Sequence, residues 1–187
     1  VVYVSSGEGT TSQGDFHEAL NWASREKAPV IFHVENNGYA ISVPIKEQTA
    51  GESIYKISSG YENLARISVD GTNYFESLLA FKQSVERARK GLGPTLIESH
   101  VPRLLPHSSS DDHRKYRTED DLQNDIKKDP IDLFKNECIK EKIFSEKDFI
   151  KIEKEILKEI DTDVDWAEMQ DNPKSKDAMK YIYSNAT

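Results

Sequence analysis

Residues 1–41 read VVYVSSGEGTTSQGDFHEALNWASREKAPVIFHVENNGYAI, and this stretch decides the fold. Two short apolar runs rich in β-branched residues, 1–4 and 29–34, predict strands. Between them Phe16 and Leu20 recur at helical spacing, so the predicted order is strand, helix, strand. A right-handed crossover of this length makes the two strands parallel. Their carboxyl ends then meet at one edge of the sheet, where open α/β folds bind ligands.

The ends of these two strands carry polar motifs. Gly7-Glu8-Gly9 follows the first strand, and Asn36-Asn37 follows the second. A carboxylate and a side-chain amide are hard oxygen ligands of the kind that holds a magnesium ion carrying a diphosphate. Glycine at positions 7 and 9 is expected to let the backbone turn sharply and bring its N–H groups close to phosphate oxygens. Each motif alone is more often a structural turn, but their separation by one crossover favours a magnesium-diphosphate site.

The chain beyond this stretch repeats the alternation of strand and helix. Residues 65–69 predict a strand, residues 75–85 an amphipathic helix that ends near the glycines at 91 and 93, and residues 95–100 a further strand. Asp15 and Glu18 predict a capping box at the start of the first helix. The predicted fold class is α/β, a parallel sheet with flanking helices, over residues 1–117.

After residue 117 the pattern becomes helical. Thr118 with Asp121, and Ser145 with Asp148, predict helix caps, while the helix between them is expected to begin at the proline at position 130. The predicted organisation is an α/β domain over 1–117 and a helical C-terminal extension of the same domain over 118–187. The apolar stripe of the last helix is expected to pack on its own domain.

Composition excludes several classes of function. The chain has 187 residues and a formal net charge of −8, with basic and acidic residues mixed, so neither a basic face nor a nucleic-acid partner is expected. Cys138 is the only cysteine, which excludes an internal disulfide and fits a reducing cytoplasm. No apolar run approaches the ~20 residues of a membrane span. A soluble protein with no membrane partner is expected.

A polar loop follows the last predicted strand. Residues 103–117 read RLLPHSSSDDHRKYR and show neither helical nor strand periodicity. A loop of this length is usually either disordered or functional. Its run of small polar residues predicts a segment that is mobile on its own and becomes ordered when a ligand meets His107.

Taken together, these motifs resemble those of thiamine diphosphate enzymes. GEGTTSQGDFHEALNWA with ENNGYAISVP is similar to the alpha subunit of the E1 component of 2-oxo acid dehydrogenase complexes, closest to the branched-chain (2-oxoisovalerate) type. The loop 103–117 resembles the regulatory loop of the same subunit, with a histidine, serines, an Asp-Asp pair and a Tyr-Arg close. The resemblance implies a thiamine diphosphate-binding fold that is truncated at its N-terminus.

The resemblance also implies a set of site residues. Glu8, Asn37 and the backbone carbonyl of Tyr39 match the family's magnesium ligands. His107 matches the loop position that reaches the diphosphate and the active-site entrance, and is the implied catalytic residue. Ser108 is the implied phosphorylation site. The positions that match cofactor-binding residues are Gly7, Gly9, Thr10 and His107.

By resemblance, the reaction is oxidative decarboxylation of a 2-oxo acid with thiamine diphosphate and Mg²⁺, and transfer of the acyl unit to a lipoyl group. The implied partners are an E1 beta subunit, separate or fused, and the lipoyl domain of E2. The implied location is the cytoplasm of a bacterium, or the mitochondrial matrix of a eukaryote. Because Val1 opens inside a predicted core strand, the chain is expected to be a fragment that is inactive alone.

Three alternatives are kept beside this interpretation. The chain could belong to a pyruvate- or acetoin-type E1 alpha subunit, or it could be a catalytically silent fragment that acts as an interaction module. A different magnesium-dependent nucleotide enzyme is disfavoured, because the chain contains neither GxxxxGK[ST] nor GxGxxG.

Overall fold

The computed structural model describes residues 1–180 and 182, so positions 181 and 183–187 of the predicted helical extension lie outside the described residues. The chain divides into two compact units, Val1–Glu137 and Cys138–Thr187. The predicted boundary after residue 117 falls inside the first unit, and that division stays a prediction. In chain order the strands and helices are β1 (Val2–Gly7), α1 (Gly14–Glu26), β2 (Val30–Asn36), β3 (Tyr39–Ala40), β4 (Val43–Pro44), α2 (Ile45–Gln48), α3 (Ile54–Ile57), β5 (Ala65–Asp70), α4 (Tyr74–Arg89), β6 (Thr95–His100), α5 (Glu119–Ile126), α6 (Pro130–Lys140) and α7 (Glu146–Glu168).

The first unit is built on a four-stranded sheet of order β1-β2-β6-β5, in which every neighbouring pair is parallel. Gly7 pairs with Glu35, while Asn36 and Asp70 both pair with His100. The four carboxyl ends therefore lie at one edge of the sheet. This confirms the predicted α/β class, and it places the end of β1 beside the end of β2, as the crossover argument requires.

Both faces of the sheet are packed, as expected for parallel strands joined by helices. Successive residues of a strand point to opposite faces, so β2 places Phe32 and Val34 on one face and Ile31 on the other. The first face packs against α1 and α3, and the second against α4. The buried members of the two clusters are, respectively, Leu20, Ala23, Phe32, Val34, Ile54, Leu64 and Leu96, and Ile31, Val69, Ala80 and Ile97.

Strand β1 lies at the edge of the sheet. Within residues 1–180, no strand pairs with its outer side, and Val2, Tyr3 and Val4 are 58%, 54% and 43% exposed. An apolar, β-branched run predicts a buried strand, so this exposure differs from the expectation that Val1 opens a core strand. The reason is that β1 is an edge strand, which among the described residues pairs with β2 on one side only.

The helix caps confirm two predictions and correct one. Thr118 and Ser145 each begin a helix with a complete capping box, closed by Asp121 and Asp148. The predicted capping box of α1 is wrong, because Gln13 occupies the N-cap and donates or accepts no capping side-chain bond. Asp15 instead lies inside the first turn, where a negative charge favours the helix dipole.

The second unit contains most of the predicted helical extension, and α7 is its longest element. No side chain of residues 146–168 is buried, and Ile156 and Ile160 are about half exposed. The expectation that this apolar stripe packs on its own domain stays a prediction. Among the described residues, no helix combines the length and the apolar character that crossing a membrane would need.

Candidate functional site

A cleft of about 480 Å³ opens at the carboxyl edge of the sheet, between the ends of β1 and β2 and the loop after β6. Every residue predicted for metal, cofactor or catalysis lines it. The structure therefore brings together side chains that are separated by about a hundred positions in the chain. The full lining is Gly7, Glu8, Gly9, Thr10, Gln13, Asn37, Tyr39, Ala40, Ile41 and His107.

Glu8 is the charged centre of this cleft. It begins a short 3₁₀ turn after β1, in which the Thr11 hydroxyl donates to the Glu8 carbonyl at 2.6 Å. Its side chain is fully buried; Oε2 accepts from the Asn37 N–H at 3.1 Å, whereas Oε1 has no hydrogen-bond partner. Burial raises the pKa of Glu8 above its ordinary value, and the Asn37 N–H and the Arg103 charge offset only part of that rise.

Asn37 and Tyr39 follow β2 in a tight turn. The Asn37 side-chain oxygen accepts from the Tyr39 N–H at 3.2 Å, and a second lone pair stays available on that oxygen. Tyr39 then enters the two-residue strand β3, so its backbone position is defined by pairing with Pro44 of β4. Both residues are thus held by local backbone geometry beside Glu8.

The two glycines that flank Glu8 differ in how much space a side chain would have at each position. An ideal Cβ on Gly9 would lie 2.7 Å from Cβ and 3.2 Å from Cα of Ala40, so any side chain there would collide with β3. A Cβ on Gly7 would meet nothing within 4 Å, and its backbone is extended, with φ −75°. The expectation that both glycines provide a sharp turn is wrong for Gly7. Its small size instead leaves the cleft wall open to an approaching ligand.

His107 lies in a loop that is held by specific hydrogen bonds. Its backbone N–H donates to Asp111 Oδ2 at 3.0 Å, and the Tyr116 hydroxyl donates to the same oxygen at 2.6 Å. Arg103 donates to the Tyr116 hydroxyl and to the Ile41 carbonyl, each at 2.7 Å. These bonds hold the loop 103–117 beside the turn that carries Asn37 and Tyr39. The Tyr116 hydroxyl, followed by the His107 N–H, keeps the pKa of Asp111 below its usual range.

Arginine and tyrosine side chains connect the two ends of this loop through hydrogen bonds and cation–π contacts. The Arg117 guanidinium donates to Asp125 at 2.5 Å and to the Arg103 carbonyl at 3.0 Å, and it is buried. The guanidinium groups of Arg103 and Arg117 each lie 5.2 Å from the centre of the Tyr39 ring. Within the same loop, Arg114 forms an ion pair with Asp112 at 2.7 Å.

Ser108 does not line the cleft. Its side chain is exposed, and its hydroxyl lies 3.1 Å from the Ser110 hydroxyl. It follows His107 directly, so a group attached to it would stand at the mouth of the cleft. The prediction that it is modified stays a prediction.

The sequence did not indicate that Asn36 would bond to Glu98, a buried carboxylate that does not line the cleft. Asn36 Nδ2 donates to Glu98 Oε1 at 2.8 Å, and the Asn36 oxygen accepts from the Gly38 N–H at 3.0 Å. The available signal was the single acidic residue in the predicted strand 95–100, because a carboxylate in a buried strand needs partners.

The residues present fit a magnesium ion. Among the described residues no group of three or more His, Cys, Asp or Glu side chains is placed to hold a metal, so the protein would contribute one carboxylate. Mg²⁺ is commonly bound in this way, with phosphate oxygens and water completing the octahedron. The buried and unpartnered Oε1 of Glu8 is the atom that such a cation would satisfy.

Comparison with known proteins identifies relatives along nearly the whole chain. Residues 1–176 match the family described as dehydrogenase E1 component. The 2-oxoisovalerate dehydrogenase subunit alpha of Bacillus subtilis is 38% identical over 182 residues, which are 97% of this chain and 55% of that protein. The pyruvate dehydrogenase E1 component subunit alpha of Acholeplasma laidlawii is 39% identical over 155 residues, 82% of this chain and 45% of that protein. The 3-methyl-2-oxobutanoate dehydrogenase subunit alpha of Mycobacterium tuberculosis is 41% identical over 129 residues, 69% of this chain and 35% of that protein. The chain thus spans about half the length, or less, of these relatives.

Proposed function

This chain belongs to the dehydrogenase E1 component family, and from that premise we propose that it is part of an E1 alpha subunit that binds the diphosphate end of thiamine diphosphate through Mg²⁺. The observation that carries the proposal is the cleft in which Glu8, with one buried carboxylate oxygen unpartnered, lies beside Asn37 and His107. The reaction we propose for the complete enzyme is oxidative decarboxylation of a 2-oxo acid and acyl transfer to the lipoyl domain of E2.

The residues of this chain bind and orient. Glu8, the Asn37 side-chain oxygen and the Tyr39 carbonyl would hold the cation, while the backbone at Gly9 and Thr10 would contact the diphosphate. A cation beside Glu8 replaces the water that burial has removed, so it lowers the cost of keeping that carboxylate ionised. Thiamine diphosphate, when bound, supplies the nucleophilic carbon and the electron sink for decarboxylation.

His107 would act at the mouth of the cleft. Its backbone N–H donates to Asp111, which also accepts from the Tyr116 hydroxyl, and these hydrogen bonds hold His107 where it lines the cleft. From there it can donate a hydrogen bond to a diphosphate oxygen or to the substrate and help to exclude water. A phosphate on Ser108 would add close to two negative charges next to His107, and we propose that it would repel the diphosphate.

The substrate class we propose is a branched-chain 2-oxo acid. The support is the 38% identity over 182 residues to a 2-oxoisovalerate dehydrogenase subunit alpha. A pyruvate-type subunit is the second candidate, because the pyruvate dehydrogenase subunit alpha of Bacillus subtilis is 36% identical over 186 residues. The partners we propose are an E1 beta subunit and E2, and the compartment is the cytoplasm, since the relatives named above are bacterial proteins.

The test is an assay of the full-length protein assembled with its beta subunit. We expect Mg²⁺-dependent binding of thiamine diphosphate by calorimetry, and turnover of 3-methyl-2-oxobutanoate with kcat/KM at least tenfold above that for pyruvate. Pocket differences of a few methyl groups are worth ~1–3 kcal/mol each, which is enough for such a ratio. The reverse ratio would assign the pyruvate type, and absence of cofactor binding would refute the proposal. The isolated 187-residue chain is expected to bind the cofactor weakly and to be inactive, because it offers one wall of the site.

A further inference from the structure

Glu98 is a buried carboxylate that the proposed chemistry does not use. It lies in the central part of β6 with no exposed surface, and it is absent from the lining of the cleft. Four donors surround it, two on each oxygen. Oε1 accepts from Asn36 Nδ2 at 2.8 Å and from the Ile54 N–H at 3.0 Å, and Oε2 accepts from the Ser53 hydroxyl at 2.7 Å and from the Tyr55 N–H at 2.9 Å.

These four bonds favour the ionised form of Glu98. Burial raises its pKa, but the Ser53 hydroxyl, the two N–H groups and the Asn36 amide together outweigh that effect and bring the pKa below the usual value. An ionised carboxylate accepts hydrogen bonds and donates none. Each carboxylate oxygen of Glu98 therefore requires a hydrogen-bond donor as its neighbour.

That requirement sets the orientation of the Asn36 amide. The two ends of an asparagine amide have nearly the same shape, so only the hydrogen-bond partners decide which end points where. Because Glu98 accepts from Nδ2, the Asn36 oxygen must face the other way, where it accepts from the Gly38 N–H at 3.0 Å. Gly38 has φ +82°, which places the turn after β2 in a conformation that few residues adopt.

The same turn carries the proposed magnesium ligands. Asn37 lies between Asn36 and Gly38, its N–H donates to Glu8, and its side-chain oxygen accepts from the Tyr39 N–H. A change in the Asn36–Gly38 hydrogen bond would therefore move both Asn37 and Tyr39 relative to Glu8. Mg²⁺ requires ligands at ~2.0–2.1 Å in near-octahedral geometry, so small displacements of these atoms weaken its binding.

We propose that Glu98 is a positioning residue for the magnesium site: by holding the Asn36 amide in one orientation, it sets the turn that presents Asn37 and Tyr39 to the cation. This inference rests on the proposed function, since it concerns the same site. Glu98 touches neither cation nor cofactor and acts only through Asn36.

The test compares Glu98→Gln with Ser53→Ala in the full-length protein assembled with its beta subunit. Glutamine keeps the size of the side chain but turns one of its two acceptors into a donor, so Asn36 or the N–H groups of α3 lose their partner. Ser53→Ala removes a bond to the same carboxylate on the side away from Asn36 and serves as the matched control. The readout is the Mg²⁺ concentration for half-maximal thiamine diphosphate binding, measured by calorimetry, together with the thermal midpoint.

We expect Glu98→Gln to raise the half-saturating Mg²⁺ concentration at least tenfold, and Ser53→Ala to raise it less than threefold, although both lower the thermal midpoint. Asn36→Ala should match Glu98→Gln, and the double variant should be no weaker than Asn36→Ala alone, because the two residues act in series. If Glu98→Gln does not fold, an Asn36→Ala variant with the Mg²⁺ dependence of the wild type overturns the inference, because Glu98 acts only through Asn36.

Equal Mg²⁺ dependence in Glu98→Gln, Ser53→Ala and the wild type would show that Glu98 only stabilises the core, and it would overturn the inference. If the effects of Glu98→Gln and Asn36→Ala on the half-saturating Mg²⁺ concentration multiply in the double variant, Glu98 does not act through Asn36, and the inference is overturned. A wild-type enzyme that binds no thiamine diphosphate with Mg²⁺ would refute the proposed function itself, which is a distinct result, and the inference would fall with it.

Discussion

Substitution of Gly9 by alanine should destabilise the protein by overpacking, because the new methyl group has no room. Its carbon would lie 2.7 Å from Cβ and 3.2 Å from Cα of Ala40. Carbon atoms pack at ~3.5–4.0 Å, so β3 must move by roughly 1 Å to relieve the contact. Overpacking of this kind costs ~1–3 kcal/mol. In a chain of this size each kcal/mol lowers the thermal midpoint by ~2–4 °C, so a fall of ~2–12 °C is expected.

The assay is thermal unfolding of the assembled protein, with Gly7→Ala and Gly14→Ala as matched controls. A Cβ at either control position meets nothing within 4 Å. Gly14 is the first residue of α1, where alanine is favoured over glycine by ~0.5–1 kcal/mol, so that variant should be unchanged or more stable. Gly7→Ala should fold as stably as the wild type.

Movement of β3 should also reach the metal site, because Tyr39 precedes Ala40 in the same short strand. Gly9→Ala is therefore expected to raise the Mg²⁺ concentration needed for thiamine diphosphate binding, whereas Gly14→Ala should leave it unchanged. A Gly9→Ala protein with the thermal midpoint of the wild type would refute the steric argument, whereas a lowered thermal midpoint with the Mg²⁺ dependence of the wild type would count against the assignment of Tyr39.

Three further outcomes are expected in the assembled protein. Because burial raises the pKa of Glu8 above 4.5, Mg²⁺ affinity should decline as the pH falls through that raised pKa, while the metal-free protein gains stability over the same interval down to pH 4.5. Glu8→Gln should abolish both trends. A wild-type Mg²⁺ affinity that begins to decline only at pH 4.5 would contradict this reasoning. Tyr116→Phe, which removes the bond to Asp111, should speed hydrogen exchange across residues 103–117, whereas Arg114→Ala, which breaks an exposed and solvent-screened ion pair, should not. His107→Ala should lower turnover at least tenfold with its thermal midpoint unchanged, and unaltered turnover would remove His107 from the mechanism.

The fold could be predicted from the sequence to a large extent. Residues 95–100 were predicted as a strand and form one over the same six positions, and the capping boxes at Thr118 and Ser145 formed as their residue spacing indicated. These features are local, because a cap or a strand depends on residues within a few positions of one another. The error at Asp15 is one of helix boundary, since α1 begins at Gly14 and places Asp15 inside its first turn.

The sequence predicted which residues line the candidate site, but it did not predict the hydrogen bonds that hold them in place. Glu8, Asn37 and His107 were expected to meet, and all three line one cleft. The role of each still awaits the measurements described above. The pattern carried no indication that the Tyr116 hydroxyl would join Arg103 to Asp111. The predicted mobility of this loop stays a prediction.

What the sequence alone determined is the alternation of the four main strands with their helices, the parallel direction of the first two strands and the kind of ligand that the strand ends can offer, because these follow from periodicity and from the chemistry of a few side chains. Only the tertiary structure decided which buried polar groups meet. Glu98 and Asn36 are 62 positions apart in the chain. Position 9 must be glycine because Ala40, which belongs to another strand, occupies the space that a side chain would need. Such contacts depend on how the layers pack, and a buried carboxylate must find its partners there because water cannot reach it.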